Sequence, residues 1–365
     1  MPFINAIDKK NQATLKAVLQ SALQRLLTED VIPAATVHVA SASLAVDCEQ
    51  CVGTRSRDSD QAYTPEQVFR VASNTKTYTA ATVLRLQEEG LLALDDLVVQ
   101  HLPKAITTIL RQGGFAVDAL TPRHLLNHTA GIEDHAVADE YFARILAQPD
   151  HVWTPAEQIA LLAEYSPAQH PPGQCFAYSD TGYVILGQMI EQLSGMSLND
   201  ALRHYLAMDQ LGLHRTWIEN DPNAPAENQQ RVHQYHEQHD TYHWHASMDL
   251  FGGGGLLSTA RELSIFLRNL LRGDVLNDTS MSCLHHYVAD SLSDGYSMGL
   301  YKEQLGGHAA MGHTGAWNSF SFYIPEHDLV LSGAIMHKGV INGTQWASDL
   351  IYELNEAFKI KTPAA

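Results

Sequence analysis

Strand-like segments stand at both ends of this 365-residue chain, and the long stretch between them reads mainly as helix. Ala34-Ala35-Thr36-Val37-His38-Val39-Ala40 and Leu44 to Val52 have the composition of two short strands joined by a turn. Far along the chain, Phe320 to Ile324 and Leu329 to Met336 flank Pro325-Glu326-His327-Asp328 as a hairpin. Strands at both ends with helices between them predict one antiparallel sheet assembled from both termini. Leu15, Val18, Leu19, Ala22 and Leu26 recur at helical spacing before the sheet, and Trp346, Leu350, Ile351, Leu354 and Phe358 do so after it. In the middle, a helix is expected from Ser73 to about Glu89, with Gly90 where a C-cap belongs. Turns such as Pro171-Pro172-Gly173 and Gly252-Gly253-Gly254-Gly255 punctuate the rest. The expected class is α+β: a single domain over 1–365, with 1–72 and 300–365 forming the sheet part and 73–299 the mainly helical part.

Composition narrows the function. Hydrophobic residues make up 45% and charged residues 18% of the chain, which suits a large buried core. A formal net charge of -18 argues against nucleic acid and anionic membranes, both of which want a basic face. No lysine occurs between Lys104 and Lys302, so no basic patch hides in the middle. Neither a secretory signal nor an apolar run of membrane-spanning length is read, giving a cytoplasmic expectation, or a periplasmic one if a leader has been removed. Cys48-Glu49-Gln50-Cys51 lies in a strand-like stretch, and Cys175 and Cys283 stand apart from each other. A structural zinc would need two further ligands at similar spacing, so four ordinary reduced cysteines are expected.

The chemistry concentrates in three motifs. Ser73-Asn74-Thr75-Lys76 places a hydroxyl and an amine one helical turn apart, and Lys76 alone among the nine lysines has a serine three residues before it. A serine hydroxyl needs a neighbouring base to become a nucleophile, and a desolvated lysine can serve. Cys175-Phe176-Ala177-Tyr178-Ser179-Asp180-Thr181-Gly182-Tyr183 enters a helix, and Gly312-His313-Thr314-Gly315-Ala316 directly precedes the carboxy-terminal hairpin. With these three in this order, the chain resembles the penicillin-recognising serine hydrolases, specifically the branch of class C β-lactamases, D-aminopeptidases, D-amino-acid amidases and related esterases. Arg123-His124-Leu125-Leu126-Asn127-His128-Thr129-Ala130-Gly131 and Gly253-Gly254-Gly255-Leu256-Leu257-Ser258-Thr259-Ala260 look like supporting stretches of that family, and the likeness runs from about Val37 to about Phe358.

The resemblance implies a β-lactamase/transpeptidase-like fold and an acyl-enzyme formed on Ser73. Lys76 and Tyr178 would share the proton work, with the Lys76 charge stabilising a Tyr178 phenolate and His313 modulating it. The N–H groups of Ser73 and Ala316 would form the oxyanion hole, with Thr314 and Gly315 beside it along the substrate. No cofactor and no metal are expected, and the partner is a small-molecule or short-peptide substrate.

Two departures from the family pattern bear on that substrate. Position 180 is Asp where the family has Asn, so it can only accept hydrogen bonds when ionised. Asp180 is expected to keep Lys76 protonated, to favour the Tyr178 phenolate and to prefer substrates with a free ammonium. A competing alignment takes Ser179-Asp180-Thr181 as a degraded S-D-N motif with Ser179 catalytic. His313 replaces a lysine that would hold a substrate carboxylate, which points away from β-lactams and carboxypeptidase substrates. The expected activity is hydrolysis of D-amino-acid peptides and amides or small esters. Acyl transfer or peptide cyclisation, β-lactam or D-Ala-D-Ala hydrolysis, and a penicillin-binding sensor are the alternatives. One further run, His233, His236, His239, His243 and His245, has the spacing of a metal site but no accompanying carboxylate framework. With Tyr235, Tyr242 and Trp244 it reads as a mobile aromatic lid.

Overall fold

A computed structural model describes residues 7–165, 170–289 and 293–362. Its main sheet has seven antiparallel strands in the order Val46–Gly53, Ala34–Ser41, Leu329–Ile335, Ser319–Ile324, His308–Gly315, Tyr301–Leu305 and Gly295–Tyr296. The sheet is therefore assembled from both ends of the chain, with Val37 opposite Gly333 and Thr36 opposite Ala334. Three of its strands, His308–Gly315, Tyr301–Leu305 and Gly295–Tyr296, were not anticipated. Tyr301–Leu305 carries Lys302, Glu303 and Gln304, and its burial alternates, so its apolar content is too small to show as a run.

The two terminal helices, Lys9–Leu26 and Gly343–Phe358, cover one face of the sheet. Leu15, Leu19 and Leu23 pack there with Leu350, Ile351 and Leu354 over Val37, Val39, Phe320, Phe322 and Leu331. Helix Ala260–Leu271 lies on the other face, against the strands Ala34–Ser41, Ser319–Ile324 and Leu329–Ile335. Its N-cap is Thr259, whose hydroxyl accepts the Glu262 N–H at 3.2 Å, as the Thr-x-x-Glu spacing predicts.

Helix Thr75–Glu88 runs through the centre of the helical part and packs against Asp180–Ser194 and Leu198–Tyr205. It is buried around nearly its whole circumference, yet it is rich in threonine. Those hydroxyls satisfy neighbouring backbone groups: Thr77 bonds the Gly299 carbonyl at 2.8 Å, Thr79 bonds the Gly252 carbonyl at 2.9 Å, and the Leu256 N–H reaches Thr75 Oγ1 at 3.2 Å. Buried polar groups must be paired, so these bonds tie the glycine-rich loop 252–255 to the helix that carries Lys76. The loop lies so close that a Cβ on Gly253 would sit 3.4 Å from the Asp180 Cβ.

All four cysteines are unpaired. Among the described residues no helix is long and apolar enough to cross a membrane.

Candidate active site

Ser73 sits in a one-turn 3-10 helix, Ala72–Asn74, immediately before helix Thr75–Glu88. The residue before it, Ala72, has φ +46°, a left-handed conformation that an alanine adopts only when its surroundings impose it. The surroundings are visible. Val71 N–H donates to the Leu256 carbonyl at 3.0 Å, while the Val71 carbonyl accepts from Ser319 Oγ at 2.7 Å and from Asn74 Nδ2 at 3.2 Å. The elbow is thus clamped between the glycine-rich loop and the sheet.

Lys76 is fully buried and its ammonium has three acceptors: Ser73 Oγ at 2.9 Å, the Gly253 carbonyl at 2.8 Å, and Asp180 Oδ1 in a close ion pair. An ammonium has three hydrogens to donate, so the set is complete. Nζ also lies 4.9 Å from the centre of the Tyr178 ring.

Tyr178 shares a hydrogen bond with Ser73, but its hydroxyl is held well above the ordinary tyrosine pKa, first by burial and then by the negative charge of Asp180; the Ser73 contact pulls weakly the other way. This corrects one expectation. Asp180 does not favour a phenolate at Tyr178, because a second negative charge beside it makes ionisation harder. Tyr178 is a neutral phenol in this site.

His313 is buried and neutral, with its pKa pulled down to about 3 by burial and then by the Lys76 charge. Its Nδ1 lies 2.6 Å from the Thr314 carbonyl and its Nε2 lies 3.3 Å from the Tyr296 hydroxyl. Nδ1 therefore carries the hydrogen and Nε2 accepts from Tyr296.

Gly315 brings the sheet edge to the serine. A Cβ there would stand 2.3 Å from the Val71 carbonyl oxygen and 3.1 Å from the Ala72 Cβ. The backbone N–H groups of Ser73 and the exposed Ala316 meet no acceptor among the described residues. Gly315→Ala should push Thr314 to Ala316 off the Val71–Ser73 elbow. A displacement near 1 Å can cost about 100-fold in rate, so kcat/KM should fall by at least that, with little change in the circular dichroism spectrum. Wild-type rates in that variant would mean that the strand edge takes no part.

The competing reading of Ser179 meets a geometric obstacle. Its hydroxyl donates to the Glu133 carbonyl at 2.7 Å and accepts the Gly182 N–H at 3.1 Å as the N-cap of helix Asp180–Ser194. That leaves it no hydrogen for Ser73.

The sequence reasoning missed two acids. Asp134 is buried, accepts the Ala136 N–H at 2.9 Å, and has its pKa raised to about 8 by burial and by Asp180. Asp249 accepts from Trp317 Nε1 at 3.0 Å and is raised to about 7, again by burial first and Asp180 second. Asp249 lies three residues before the glycine run and Trp317 directly follows Ala316, so both were adjacent to motifs already singled out. An aromatic wall of Trp317, Trp244, Trp153 and Tyr141, with Met248, packs against Ala72.

The histidine run 233–245 does not converge. His233 pairs with Asp240 at 2.7 Å and stacks on Tyr242, while His245 Nδ1 meets Ser247 Oγ at 2.7 Å. The segment is packed rather than lid-like: Tyr235–His236 pairs with His337–Lys338 as well as with His239–Asp240, and Tyr235 and Trp244 are buried.

The family model described as Beta-lactamase matches residues 19–345. Penicillin-binding protein 4* of Bacillus subtilis (strain 168) is 32% identical over 161 residues, 43% of this chain and 32% of that protein. Penicillin-binding protein 4 of Amycolatopsis lactamdurans is 34% identical over 195 residues, 49% of this chain and 45% of that protein. The chain thus spans less than half the length of either relative. A D-stereospecific amidohydrolase from Streptomyces sp. superposes with a TM-score of 0.76 at 26% identity, over 94% of this chain and 98% of that one. The family match over most of the chain, on a fold shared almost end to end with a solved amidohydrolase, establishes that this chain belongs to the beta-lactamase family of serine hydrolases.

Proposed function

We propose that the chain hydrolyses amide or ester bonds of D-aminoacyl substrates bearing a free ammonium, through an acyl-enzyme on Ser73. The observation that carries this reading is the set of acids at the site: Asp134 and Asp249 each feel the charge of Asp180, which pairs with the buried Lys76 ammonium, and His313 is neutral. An ammonium-bearing substrate adds positive charge beside these acids and favours their carboxylate forms. Resemblance to an amidohydrolase named as D-stereospecific supports the stereochemistry.

In this reading Lys76 takes the Ser73 proton after passing one of its own hydrogens to Asp180. Tyr178, kept as a phenol, donates to the leaving group, and the N–H groups of Ser73 and Ala316 receive the developing oxyanion. The aromatic wall beside Ala72 accommodates an apolar side chain of the substrate.

A panel of D- and L-aminoacyl p-nitroanilides, their N-acetyl forms and short p-nitrophenyl esters tests the proposal. Faster turnover of free-amine D-substrates supports it, and equal turnover of the N-acetyl forms refutes the ammonium preference. Asp249 adds a pH signature. Its raised pKa means that it is protonated below about pH 7 and becomes a carboxylate above it. Binding an ammonium favours the carboxylate, so KM for a free-amine substrate should fall as pH rises through 7. The window closes near pH 8, where an α-amino group of pKa about 7.7–8.0 loses its own charge. Asp249→Asn should abolish that fall and lower kcat/KM for free-amine substrates about tenfold, leaving ester turnover unchanged.

One observation favours a second reading. Lys338 lines a cavity of about 520 Å³ with Thr314, Gly315 and Ala316, and makes no ion pair among the described residues. A cation there suits a substrate carboxylate, as in a β-lactam or a peptide C-terminus. Nitrocefin turnover that collapses in Lys338→Ala, without loss of ester hydrolysis, would establish that reading.

A further inference from the structure

At the end of strand His308–Gly315 remote from Gly315, three side chains converge on one point. His308 Nδ1 lies 3.1 Å from Glu326 Oε2, and His327 Nε2 lies 3.8 Å from the same oxygen. The ligand atoms of all three residues fall within 4.8 Å of one another, the one such group of three among the described residues. His327 Nε2 is buried without a hydrogen-bond partner, and the two imidazole rings meet edge-on at 5.0 Å between centres.

Hydrogen counting makes this arrangement unusual. Asn355 Nδ2 donates to the Gly306 carbonyl at 2.9 Å, which turns Asn355 Oδ1 towards His308 Nε2 at 3.2 Å. Nε2 therefore carries the hydrogen of a neutral His308, and Nδ1 presents a lone pair. That lone pair faces a carboxylate oxygen, and the orphaned His327 nitrogen faces the same oxygen. Two acceptors facing each other, with an unpartnered imidazole nitrogen beside them, call for a positive charge between them.

We propose that His308 Nδ1, His327 Nε2 and the Glu326 carboxylate form a zinc site, with water in the fourth position. Two imidazoles and one carboxylate are a zinc-type donor set. Ligand bonds of 2.0–2.1 Å put the edges of a tetrahedron at about 3.3 Å, close to the 3.1 and 3.8 Å separations that already exist. Asn355 plays the outer role usual for a metal-bound imidazole, fixing the ring and its tautomer from the far nitrogen.

The scaffold is braced before any ion binds. The His327 carbonyl accepts from Ser41 Oγ at 2.8 Å and Ser43 Oγ at 2.9 Å, and Pro325 sets the first residue of the turn. Next to it Asp328, at φ +42°, is held by Arg268 and by Tyr323. The strand separates the site from Gly315 by roughly 20 Å, so the ion would staple the turn 325–328 to the sheet without touching Ser73. This inference does not depend on the proposed hydrolase activity.

Tag-free protein stripped with a chelator and dialysed should bind one equivalent of Zn²⁺ in a calorimetric titration, with micromolar or tighter affinity. The melting temperature should rise on binding. His327→Ala and Glu326→Gln, both at partly exposed positions, should each weaken binding at least tenfold and remove the thermal shift. Turnover of a p-nitrophenyl ester should be the same in both variants as in the unaltered protein. Failure of the unaltered protein to bind stoichiometric zinc overturns the proposal. So does binding that neither variant weakens, which would move the ion to the histidine run 233–245.

Discussion

Ser73→Ala should leave the melting temperature within about 2 °C of the unaltered protein and reduce kcat by about 10⁴-fold or more, the scale seen when a hydrolase loses its nucleophile. The hydroxyl accepts from Lys76 and shares a hydrogen bond with Tyr178, but the elbow itself is held by other groups: the Val71 carbonyl accepts from Ser319 and Asn74. Intact-mass spectrometry with a fluorophosphonate gives the sharpest readout, since a single adduct should form on the unaltered protein and none on the variant. Labelling that survives Ser73→Ala would remove the nucleophile from this site altogether. Lys76→Ala is a poorer test of chemistry. It strands the Asp180 carboxylate beside Asp134 and Asp249, and an unpaired buried charge costs about 3–5 kcal/mol.

Arg70→Leu should be strongly destabilising. Arg70 is buried, and its guanidinium holds both oxygens of Glu219, at 2.6 and 3.0 Å, and the carbonyls of Thr241 and Trp244 at 2.9 and 2.8 Å. Gln234 brackets its backbone, donating to the Arg70 carbonyl at 3.0 Å and accepting its N–H at 2.8 Å. Removing the guanidinium leaves the Trp244 carbonyl unpaired, the Thr241 carbonyl with the Trp244 N–H alone, and Glu219 with Arg231 alone. A loss of about 3–5 kcal/mol follows, which lowers the melting temperature by roughly 5 °C. Arg111→Ala breaks the exposed pair with Asp118 and should cost under about 1 kcal/mol. Equal melting temperatures for the two variants would show that the buried network contributes nothing. The same network has an acid limit. Burial pushes the Glu219 carboxyl upward, but Arg70 and Arg231 together hold it below its usual range. Its contribution is therefore complete above the ordinary glutamate pKa of about 4.3 and fades as pH falls below that.

What was legible in the sequence is what periodicity and local spacing encode. The terminal helices and the hairpins from the two ends of the chain appear where their apolar patterns put them, and the Ser73 hydroxyl and Lys76 ammonium meet because three residues make about one turn. Tyr301–Leu305 escaped because half of it faces water. The Asp180 error was one of sign: the residue does pair with Lys76, but its charge falls on Tyr178 as well, and only the fold places the three together. Asp134, Asp249, and the Arg70–Glu219–Arg231 network are contacts between distant segments, and an isolated acid or arginine in a sequence says nothing of its burial. The histidine run was misread as a lid because its aromatic density does not reveal that Tyr235 and Trp244 are buried. His308, Glu326 and His327 converge although their spacing matches no familiar motif.

The sheet drawn from both ends has a consequence for how the protein is made. Val37 pairs with Gly333, about 300 residues later in the chain. During synthesis the strand Ala34–Ser41 emerges early but cannot gain its inner neighbour until translation is nearly complete. The Ser73 elbow is in the same position, because Ser319 and Gly315, which clamp it, arrive late as well. Each nascent chain thus spends most of its translation with an open, apolar strand edge, the kind of surface on which chains aggregate. Pairing at such long range is also intrinsically slow. Yield on overexpression should therefore respond more to chaperone supply and growth temperature than to the stability of the finished fold.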